Sequence, residues 1–295
     1  MSGKQFFVAR YRELGWEYKP VELKQAIRIN TLNALERDVL ARLEDRGVGL
    51  QKIPFLQHGY WVNKSRFSVG ATSEYLLGLY SIQEAAAQIP ATLFKDLGAR
   101  SVLDACAAPG GKTIQISNLM HNEGVIVALD IDKRRLAALA NQLERCNVSN
   151  TIVYCLDARE VSKLKIMFTH ILLDLPCSGN FANDKNWFNN RTLEDVEANA
   201  KLQREILKET ARVLAYDGEI IYSTCSLEPE EDELNIQWAK ENLNLDPQRI
   251  DCYGEDGLTE IFGRKLDSSI GYCRRIWPCQ SQGFFICKLK KSGRS

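Results

Sequence analysis

The sequence lacks a net charge, a long apolar run and a secretion signal, three features that often indicate the class of a protein. Its 38 basic and 38 acidic residues give a formal net charge of zero, so overall charge does not indicate a nucleic-acid partner. No window offers the roughly 18 consecutive apolar residues that a membrane helix needs. The first residues, MSGKQFFVARYRELG, lack the long apolar stretch of a secretion signal. We therefore expect a cytoplasmic protein that has no membrane partner.

Metal ligands are scarce and scattered. Three histidines occur, His58, His121 and His170, and none neighbours another. The nine cysteines are odd in number and form none of the close pairs that zinc sites show. We expect no metal site and reduced thiols, with core packing for Cys106, Cys146, Cys155 and Cys287.

What the sequence does have, from Ser101 onward, is short apolar runs that alternate with helical patterns. Five runs, SVLDAC, GVIVALD, TIVYCLD, HILLDLP and EIIYSTCS, are separated by connectors such as KRRLAALANQLERC. Strands joined by helical crossovers predict an α/β fold with a doubly wound, mostly parallel sheet covered on both faces. The last runs, GYCRRIWP and GFFICKL, flank turn residues and predict a terminal hairpin.

Residues before Ser101 follow the pattern of a small α+β module. AIRINTLN and GYWV predict strands, and Asn33 is predicted to cap a helix between them that ends at Gly47. The stretch up to Pro90 predicts one or two linking helices that end at that proline. We expect the module at residues 1–70, the linking helices at 71–100 and the main domain at 101–295.

Acidic residues end three successive predicted strands. Asp104 is followed by a turn with Pro109, Gly110 and Gly111, and Asp130 and Asp157 end the next two strands. The turn has neither the GxxxxGK[ST] phosphate-loop spacing nor GxGxxG, which disfavours a phosphate ligand. Carboxylates at one sheet edge predict a pocket for an adenosine-bearing ligand without phosphate, and S-adenosylmethionine fits. The alternative is that these carboxylates merely cap the helices that follow them.

Two cysteines follow the fourth and fifth strands. HILLDLPCSG places Cys177 shortly after Asp174, and IIYSTCS places Cys225 directly after Thr224. Neighbouring parallel strands end at the same edge of a sheet, so both thiols are expected to face one pocket. The acidic run EPEEDE after Cys225 is interpreted as a helix start, with Pro229 in its first turn.

A thiol beside a methyl donor indicates a particular chemistry. Carbon 5 of cytosine is a poor nucleophile until a thiolate adds to carbon 6 and pushes electrons onto carbon 5. An acid at ring nitrogen 3 stabilises the electron-rich ring, a role suited to Asp174 in its protonated form. The second thiol can assist release of the adduct. The residues alone leave open which thiol attacks.

The motifs LDACAAPGGKT, DLPCSG and STCSLEPEED, in this order, resemble those of the Nop/Sun family of S-adenosylmethionine-dependent RNA cytosine C-5 methyltransferases. RINTLN, GLYSIQEAAAQIP, RIWP and GFFICKL also resemble family segments, so the similarity covers nearly the whole chain. It implies a class I methyltransferase fold, Rossmann-like, with a seven-stranded sheet. Two positions depart from the family pattern: Cys279 stands where a histidine is frequent, and Leu175 where a small residue is usual.

The resemblance also implies roles for individual residues. Cys225 corresponds to the nucleophile and Cys177 to the thiol that resolves the adduct, while Lys112 and Asp174 order the methyl group and the cytosine. The implied cofactor positions are Cys106, Ala107, Ala108, Pro109, Gly110, Gly111, Lys112, Asp130, Arg135, Asp157 and Asp174.

Compact members similar to this chain are archaeal tRNA methyltransferases, so we expect a monomer that acts on tRNA. Ribosomal RNA is the nearest alternative substrate, DNA is more distant, and a non-catalytic ribosome-assembly factor is the alternative of another class. The predicted RNA contacts are the N-terminal module and a C-terminal basic set: Arg274, Arg275, Lys288, Lys290 and Lys291.

Overall fold

The computed structural model describes residues 3–292. Residues before Ser101 form the elements α1 (Gly3–Glu13), β1 (Ala26–Ile29), α2 (Glu36–Asp45), β2 (Gly49–Lys52), β3 (Gly59–Lys64), α3 (Ser73–Leu76), β4 (Tyr80–Ile82) and α4 (Ile89–Thr92). Four of these strands form an antiparallel sheet in the order β2-β3-β1-β4. Val39 and Leu43 of α2 pack on Ile27 and Ile29 of β1, which gives the module a core of its own.

The remainder of the chain builds a second, larger sheet with its helices. Its first elements are β5 (Ser101–Asp104), α5 (Gly111–Leu119), β6 (Val125–Asp130), α6 (Lys133–Arg145), β7 (Thr151–Cys155), β8 (Phe168–Asp174), α7 (Trp187–Asn190), α8 (Leu193–Arg212) and β9 (Leu214–Thr224). The last are α9 (Glu233–Leu243), β10 (Leu245–Gln248), β11 (Glu255–Asp256), β12 (Glu260–Ile261), β13 (Arg264–Lys265), β14 (Arg274–Ile276) and β15 (Phe284–Lys291).

The large sheet confirms the predicted fold class. Strands β5 to β9 are parallel, in the spatial order β9-β8-β5-β6-β7, and β15 joins β9 antiparallel. Apolar side chains of α8 and α9 pack on one face, and those of α4 and α5 pack on the other. The predicted terminal hairpin is the antiparallel pair β14 and β15.

Within residues 3–292 the large sheet has nine strands instead of the expected seven. The eight-residue β15 pairs along one edge with β14 through Phe284–Ile286 and with β10 through Lys288–Lys291. The two short strands therefore share one edge of a long one. The two-residue strand β11 then extends the sheet beyond β14.

Three local predictions before Ser101 differ from the structure. Asn33 does not cap α2, which begins after Leu35; its Oδ1, the atom that would accept in a cap, accepts from the Asn147 side chain instead. Pro90 lies in the first turn of α4 instead of ending a helix, a position where a missing N–H is tolerated. The helix α1 was not predicted; its Phe7 packs on Trp187 of α7, at a ring distance of 4.6 Å.

The helices of the described chain include none that is both long and apolar enough to cross a membrane.

Candidate active site

The carboxyl ends of the parallel strands meet at one edge of the large sheet, and a cavity of about 430 Å³ lies there. A smaller cavity of about 160 Å³ adjoins it, sharing Cys106, Ala108 and Asp174. The larger cavity is also lined by Asp130, Arg135, Asp157, Cys177 and Cys225, and the smaller one by Ala107, Pro109, Gly111 and Lys112. The structure thus brings together every predicted site residue except Gly110.

Gly110 lines neither cavity and instead packs against α6. Its backbone φ is 111°, a value that residues with a side chain rarely adopt. A Cβ atom at this position would lie 2.8 Å from Cδ1 of Leu139 in α6. Gly110 immediately precedes α5, so a glycine at this position lets the loop turn tightly into the helix. We infer that its role in the loop is conformational.

Asp130 and Arg135 connect the second strand to this loop. Asp130 is buried, and its Oδ2 lies 3.3 Å from Nη1 of Arg135. Nη2 of Arg135 donates to the carbonyl of Ala108 at 2.5 Å. Asp132, not Asp130, caps α6 by accepting from the Arg134 amide, which leaves the Asp130 carboxylate at the cavity wall.

Asp157 does cap the helical turn that follows it, which was the alternative to a role in ligand binding. Its side chain caps the 3₁₀ turn Ala158–Leu164 and forms an ion pair with Arg159 at 2.7 Å. The hydrogen bonds from Arg159 lower the pKa of Asp157. Asp157 nevertheless lines the larger cavity, so it belongs to the cavity wall and to the cap at once.

Asp104, at the end of the first strand, lies in the interior. It accepts a hydrogen bond from the Thr113 hydroxyl at 2.7 Å, and burial raises its pKa to about 7. It borders the smaller cavity. A carboxyl group with this pKa is partly neutral near pH 7, which reduces the negative charge at the base of the loop.

Lys112 and Asp174 form an ion pair at the junction of the two cavities. Nζ of Lys112 lies 2.7 Å from Oδ2 of Asp174, and the Ser223 hydroxyl donates to Oδ1 at 3.0 Å. The same ammonium lies 5.5 Å from the centroid of the Phe284 ring. Each carboxylate oxygen thus has a donor, and the ammonium lies at the wall of the smaller cavity.

The two thiols lie in direct contact. Sγ of Cys177 and Sγ of Cys225 are 3.3 Å apart, a hydrogen-bond distance that is far longer than the roughly 2.05 Å of a disulfide. The hydrogen bond to Cys225 and burial raise the pKa of Cys177 well above its ordinary value. Cys177 therefore gives up its proton less readily than an isolated cysteine does.

The acidic run after Cys225 does not start a helix as predicted. Its buried carboxylates instead accept hydrogen bonds from residues next to the two cysteines. Glu231 accepts from the Ser178 amide at 3.0 and 3.2 Å, and from the Ser226 hydroxyl at 3.2 Å. Asp232 accepts from the Thr224 hydroxyl at 2.5 Å. Neighbours of Cys177 and of Cys225 are thereby held by two consecutive carboxylates, and α9 begins only at Glu233.

Two predicted RNA contacts are wrong because their side chains are buried in ion pairs. Arg275 is 1% exposed, lies 3.2 Å from Asp232 and also pairs with Glu233. Lys288 is buried and lies 3.2 Å from Glu219.

The other three members of the predicted basic set also contact the protein. Arg274 pairs with Asp256, Lys290 lies 3.7 Å from Glu219, and Lys291 donates to the Leu214 carbonyl at 2.6 Å. The contacts of the last two lie toward the start of β9, away from the edge that carries Cys225.

The predictions for the remaining cysteines are partly correct. Cys146 and Cys287 are buried in the core, as predicted. Cys106 instead lines both cavities, and Cys155 is exposed on β7, the last strand of the large sheet. Among the residues that the structure describes, no three His, Cys, Asp or Glu side chains are grouped as a metal site requires.

Comparison with known families decides the affiliation. The sequence profile described as 16S rRNA methyltransferase RsmB/F matches residues 92–290, and that of the N-terminal domain of 16S rRNA methyltransferase RsmF matches residues 5–85. The chain belongs to the RsmB/F family. This confirms the resemblance to the Nop/Sun family that the three motifs indicated.

Sequence similarity to known relatives extends over almost the whole chain. It is 35% identical over 280 residues to the mouse 28S rRNA (cytosine-C(5))-methyltransferase, covering 91% of this chain and 35% of the relative. It is 34% identical over 288 residues to the ribosomal RNA small subunit methyltransferase F of Escherichia coli K12, covering 92% and 57%. The chain therefore spans from about a third to somewhat over half of these relatives.

A solved structure has the same fold over most of its length. The crystal structure of a methyltransferase homolog protein from Pyrococcus horikoshii superposes with a TM-score of 0.85 at 35% identity, covering 96% of this chain and 89% of that one.

Proposed function

We propose that this RsmB/F chain transfers a methyl group from S-adenosylmethionine to carbon 5 of cytosine in RNA, through a covalent adduct on Cys225. The observation that supports it most is the pair of thiols 3.3 Å apart at the wall of the larger cavity, where Asp174 also lies and is paired with Lys112 of the adjoining smaller cavity. Amine or oxygen methylation needs no thiol, whereas addition to carbon 6 of cytosine needs one.

The larger cavity fits the proposed cofactor. Its volume of about 430 Å³ lies within the range of sites for cofactors of this size. The buried Asp130 carboxylate can accept from ribose hydroxyl groups, and Asp157 can accept from an adenine amine. The two arginines at the wall are already paired with these carboxylates, which suits a ligand without phosphate. When bound there, S-adenosylmethionine supplies an electrophilic methyl group.

The chain's own residues account for the remaining steps. The Cys225 thiolate adds to carbon 6 of the cytosine, and the electron pair moves toward carbon 5 and the ring nitrogen 3 edge. The Lys112 ammonium donates a hydrogen bond at that edge while Asp174 holds the ammonium in place, a task that the sequence assigned to Asp174 in its protonated form.

Release of the product requires a base near carbon 5. Once the Cys225 sulfur is bonded to carbon, its hydrogen bond and its charge no longer raise the pKa of Cys177, so Cys177 can release its proton to solvent and then, as a thiolate, accept the proton on carbon 5. The electron pair of that C–H bond restores the ring double bond, and the C–S bond breaks to regenerate the Cys225 thiolate.

Two RNA classes are candidates. The sequence predicts tRNA, whereas the relatives from mouse and Escherichia coli are named for ribosomal RNA, so ribosomal RNA is the second candidate. We further propose that residues 1–70 bind the RNA and that residues 71–100, which also add β4 to the N-terminal sheet, link them to a methyltransferase domain at 101–295. We propose too that the protein acts as a monomer in the cytoplasm.

The test is methyl transfer from S-adenosylmethionine carrying a radiolabelled methyl group to total tRNA and to ribosomal RNA in parallel, with 5-methylcytosine as the product assayed. We expect product with wild type, none with Cys225→Ala, and wild-type product with the control Cys279→Ala, which removes an exposed thiol. Binding of both RNAs without any 5-methylcytosine would favour the non-catalytic assembly factor.

A further inference from the structure

The loop between β3 and α3 lies beside the smaller cavity. In the N-terminal sheet, Ala26 pairs with Trp61 and Ile27 pairs with Ile82, so the ends of β3 and β4 lie at the same edge. The loop starts at that edge after Lys64, and a Cβ atom on its Gly70 would lie 3.4 Å from Cδ1 of Ile82. The loop therefore passes from β3 to β4 across the start of β1.

This edge is attached to the candidate active site. Ile82 and Gln83 line the smaller cavity together with Lys112 and Asp174. Arg28 of β1 donates to the Gln83 side chain at 2.9 Å and to the Gly111 carbonyl at 3.0 Å. The edge of the N-terminal sheet is thus held against the loop that carries Lys112.

The loop carries positive charge without acidic partners. Residues 46–73 contain the basic residues Arg46, Lys52, Lys64 and Arg66 and no acidic residue. Arg46 and Lys52 are paired with glutamates of neighbouring helices. Lys64 and Arg66 are exposed and form no ion pair within residues 3–292.

Two large apolar side chains accompany these cations. Phe67 is 43% exposed and Ile82 is 41% exposed. Unpaired cations next to exposed apolar side chains suit single-stranded nucleic acid, in which phosphates alternate with flat base faces. A target cytosine that leaves its stack also exposes the face of the neighbouring base.

We propose that Lys64, Arg66, Phe67 and Ile82 bind the unpaired RNA strand next to the target cytosine. The two cations contact phosphates, and Phe67 and Ile82 cover the base left exposed beside the target. This inference rests on the proposed function for its RNA substrate. Within the N-terminal module, which was predicted to bind RNA together with the C-terminal basic set, it names the loop after β3 as the contact.

The test is the affinity for a short, unstructured, cytosine-containing RNA oligonucleotide, measured by fluorescence anisotropy without cofactor, for wild type, Arg66→Ala, Phe67→Ala and Phe67→Tyr. We expect Phe67→Ala to weaken binding by about 5- to 100-fold, and Phe67→Tyr to retain it. Arg66→Ala should weaken binding and reduce the slope of log affinity against log salt by about 0.7.

Matched controls lie at the opposite end of the large sheet. Tyr216→Ala removes an aromatic side chain that is 78% exposed at the start of β9, and Arg100→Ala removes an exposed cation just before β5. Both should bind RNA as wild type does. Melting temperatures equal to that of wild type would show that every variant is folded.

The binding assay separates this inference from the proposed function. If Phe67→Ala and Arg66→Ala bind the oligonucleotide as tightly as the controls do, the loop is not the RNA contact. If they bind more weakly while wild type makes no 5-methylcytosine, the contact stands and the proposed activity fails.

Discussion

The surroundings of Cys177 support the roles proposed for the two thiols. The negative charge of Glu231 contributes to the raised pKa of Cys177, after the larger effects of the Cys225 hydrogen bond and burial. A raised pKa suits Cys177 to the proton-carrying role in the proposed mechanism, in which Cys225 is the nucleophile. The first prediction follows from the charge and the acceptor geometry of Glu231.

Glu231→Gln should lower kcat by about 10- to 100-fold, because the carboxylate accepts at both oxygens, from the Ser226 hydroxyl at Oε1 and from the Ser178 amide and the Gln203 side chain at Oε2, whereas the amide has only one accepting oxygen. Affinity for S-adenosylmethionine should change little. Cys177 should also react with an alkylating agent at lower pH, because a negative charge near it is lost.

Steady-state kinetics and alkylation followed by mass spectrometry measure these effects, with Glu197→Gln on the exposed face of α8 as the control. Unchanged kcat and unchanged alkylation in Glu231→Gln would show that this carboxylate neither positions nor tunes the thiols.

Single residues were predictable where backbone topology alone places them. Asp130, Asp174 and Cys225 lie at or next to strand ends, and parallel strands bring those ends together whatever their side chains do. The partners of Arg275 and Lys288 were not predictable, because Glu233 and Glu219 lie 42 and 69 positions away in the sequence. A sequence shows a charge, but it does not show whether folding pairs that charge.

At the scale of elements, the segment between β9 and α9 shows how an acidic run becomes interior. Proline and acidic residues typically start a helix at the surface, which explains the prediction. Here Arg275 pairs with Asp232 and Glu233, and Arg10 of α1 lies 3.1 Å from Glu228. Since α1 was itself not predicted, the partner that allows Glu228 to be buried could not be foreseen.

The burial of Glu228 predicts a dependence of stability on pH. Burial raises its pKa to about 7, although Arg10 opposes this shift, whereas an unfolded glutamate titrates near 4.3. The folded protein therefore binds more protons than the unfolded chain between about pH 4.3 and 7. Stability from this group is fully present below that window and declines as pH rises through it.

In Glu228→Gln the free energy of unfolding should fall by on the order of 3 kcal/mol less than in wild type between pH 4.5 and 8. Urea denaturation at a series of pH values measures it. Glu44→Gln, an exposed glutamate on α2, should leave the pH profile of wild type unchanged. A Glu228→Gln profile parallel to that of wild type would contradict the proposed burial effect.

At the scale of the whole molecule, the two sheets are joined by buried polar contacts. Asn30, which is completely buried, donates to the Gly78 carbonyl at 2.8 Å and to the Cys146 carbonyl at 3.0 Å. The Thr31 amide donates to the Asn118 side chain at 3.2 Å. The alternation of strands and helices was sufficient to predict both sheets, but side-chain contacts between them leave no periodic pattern in a sequence.

Asn30→Ala should lower the free energy of unfolding by on the order of 2 kcal/mol, because the Cys146 carbonyl loses the Asn30 donor and the Gly78 carbonyl keeps only the donor from Asn33. It should also weaken S-adenosylmethionine binding, since the N-terminal sheet holds the Gly111 carbonyl through Arg28. Chemical denaturation and calorimetric titration are the measurements, with the exposed Asn141→Ala on α6 as control. Equal free energies of unfolding for the two variants would show that the Asn30 contacts between the sheets do not stabilise the protein.

The measurement that tests the central claim most directly is the isolation of a protein–RNA adduct. Cys177→Ala, incubated with S-adenosylmethionine and the RNA that wild type methylates, should accumulate a denaturation-stable complex, because the adduct forms but its release lacks a base. Mass spectrometry should locate the bond on Cys225, and the double variant Cys177→Ala with Cys225→Ala should form no complex. An adduct on another residue, or one that persists in the double variant, would contradict the assignment of Cys225 as the nucleophile.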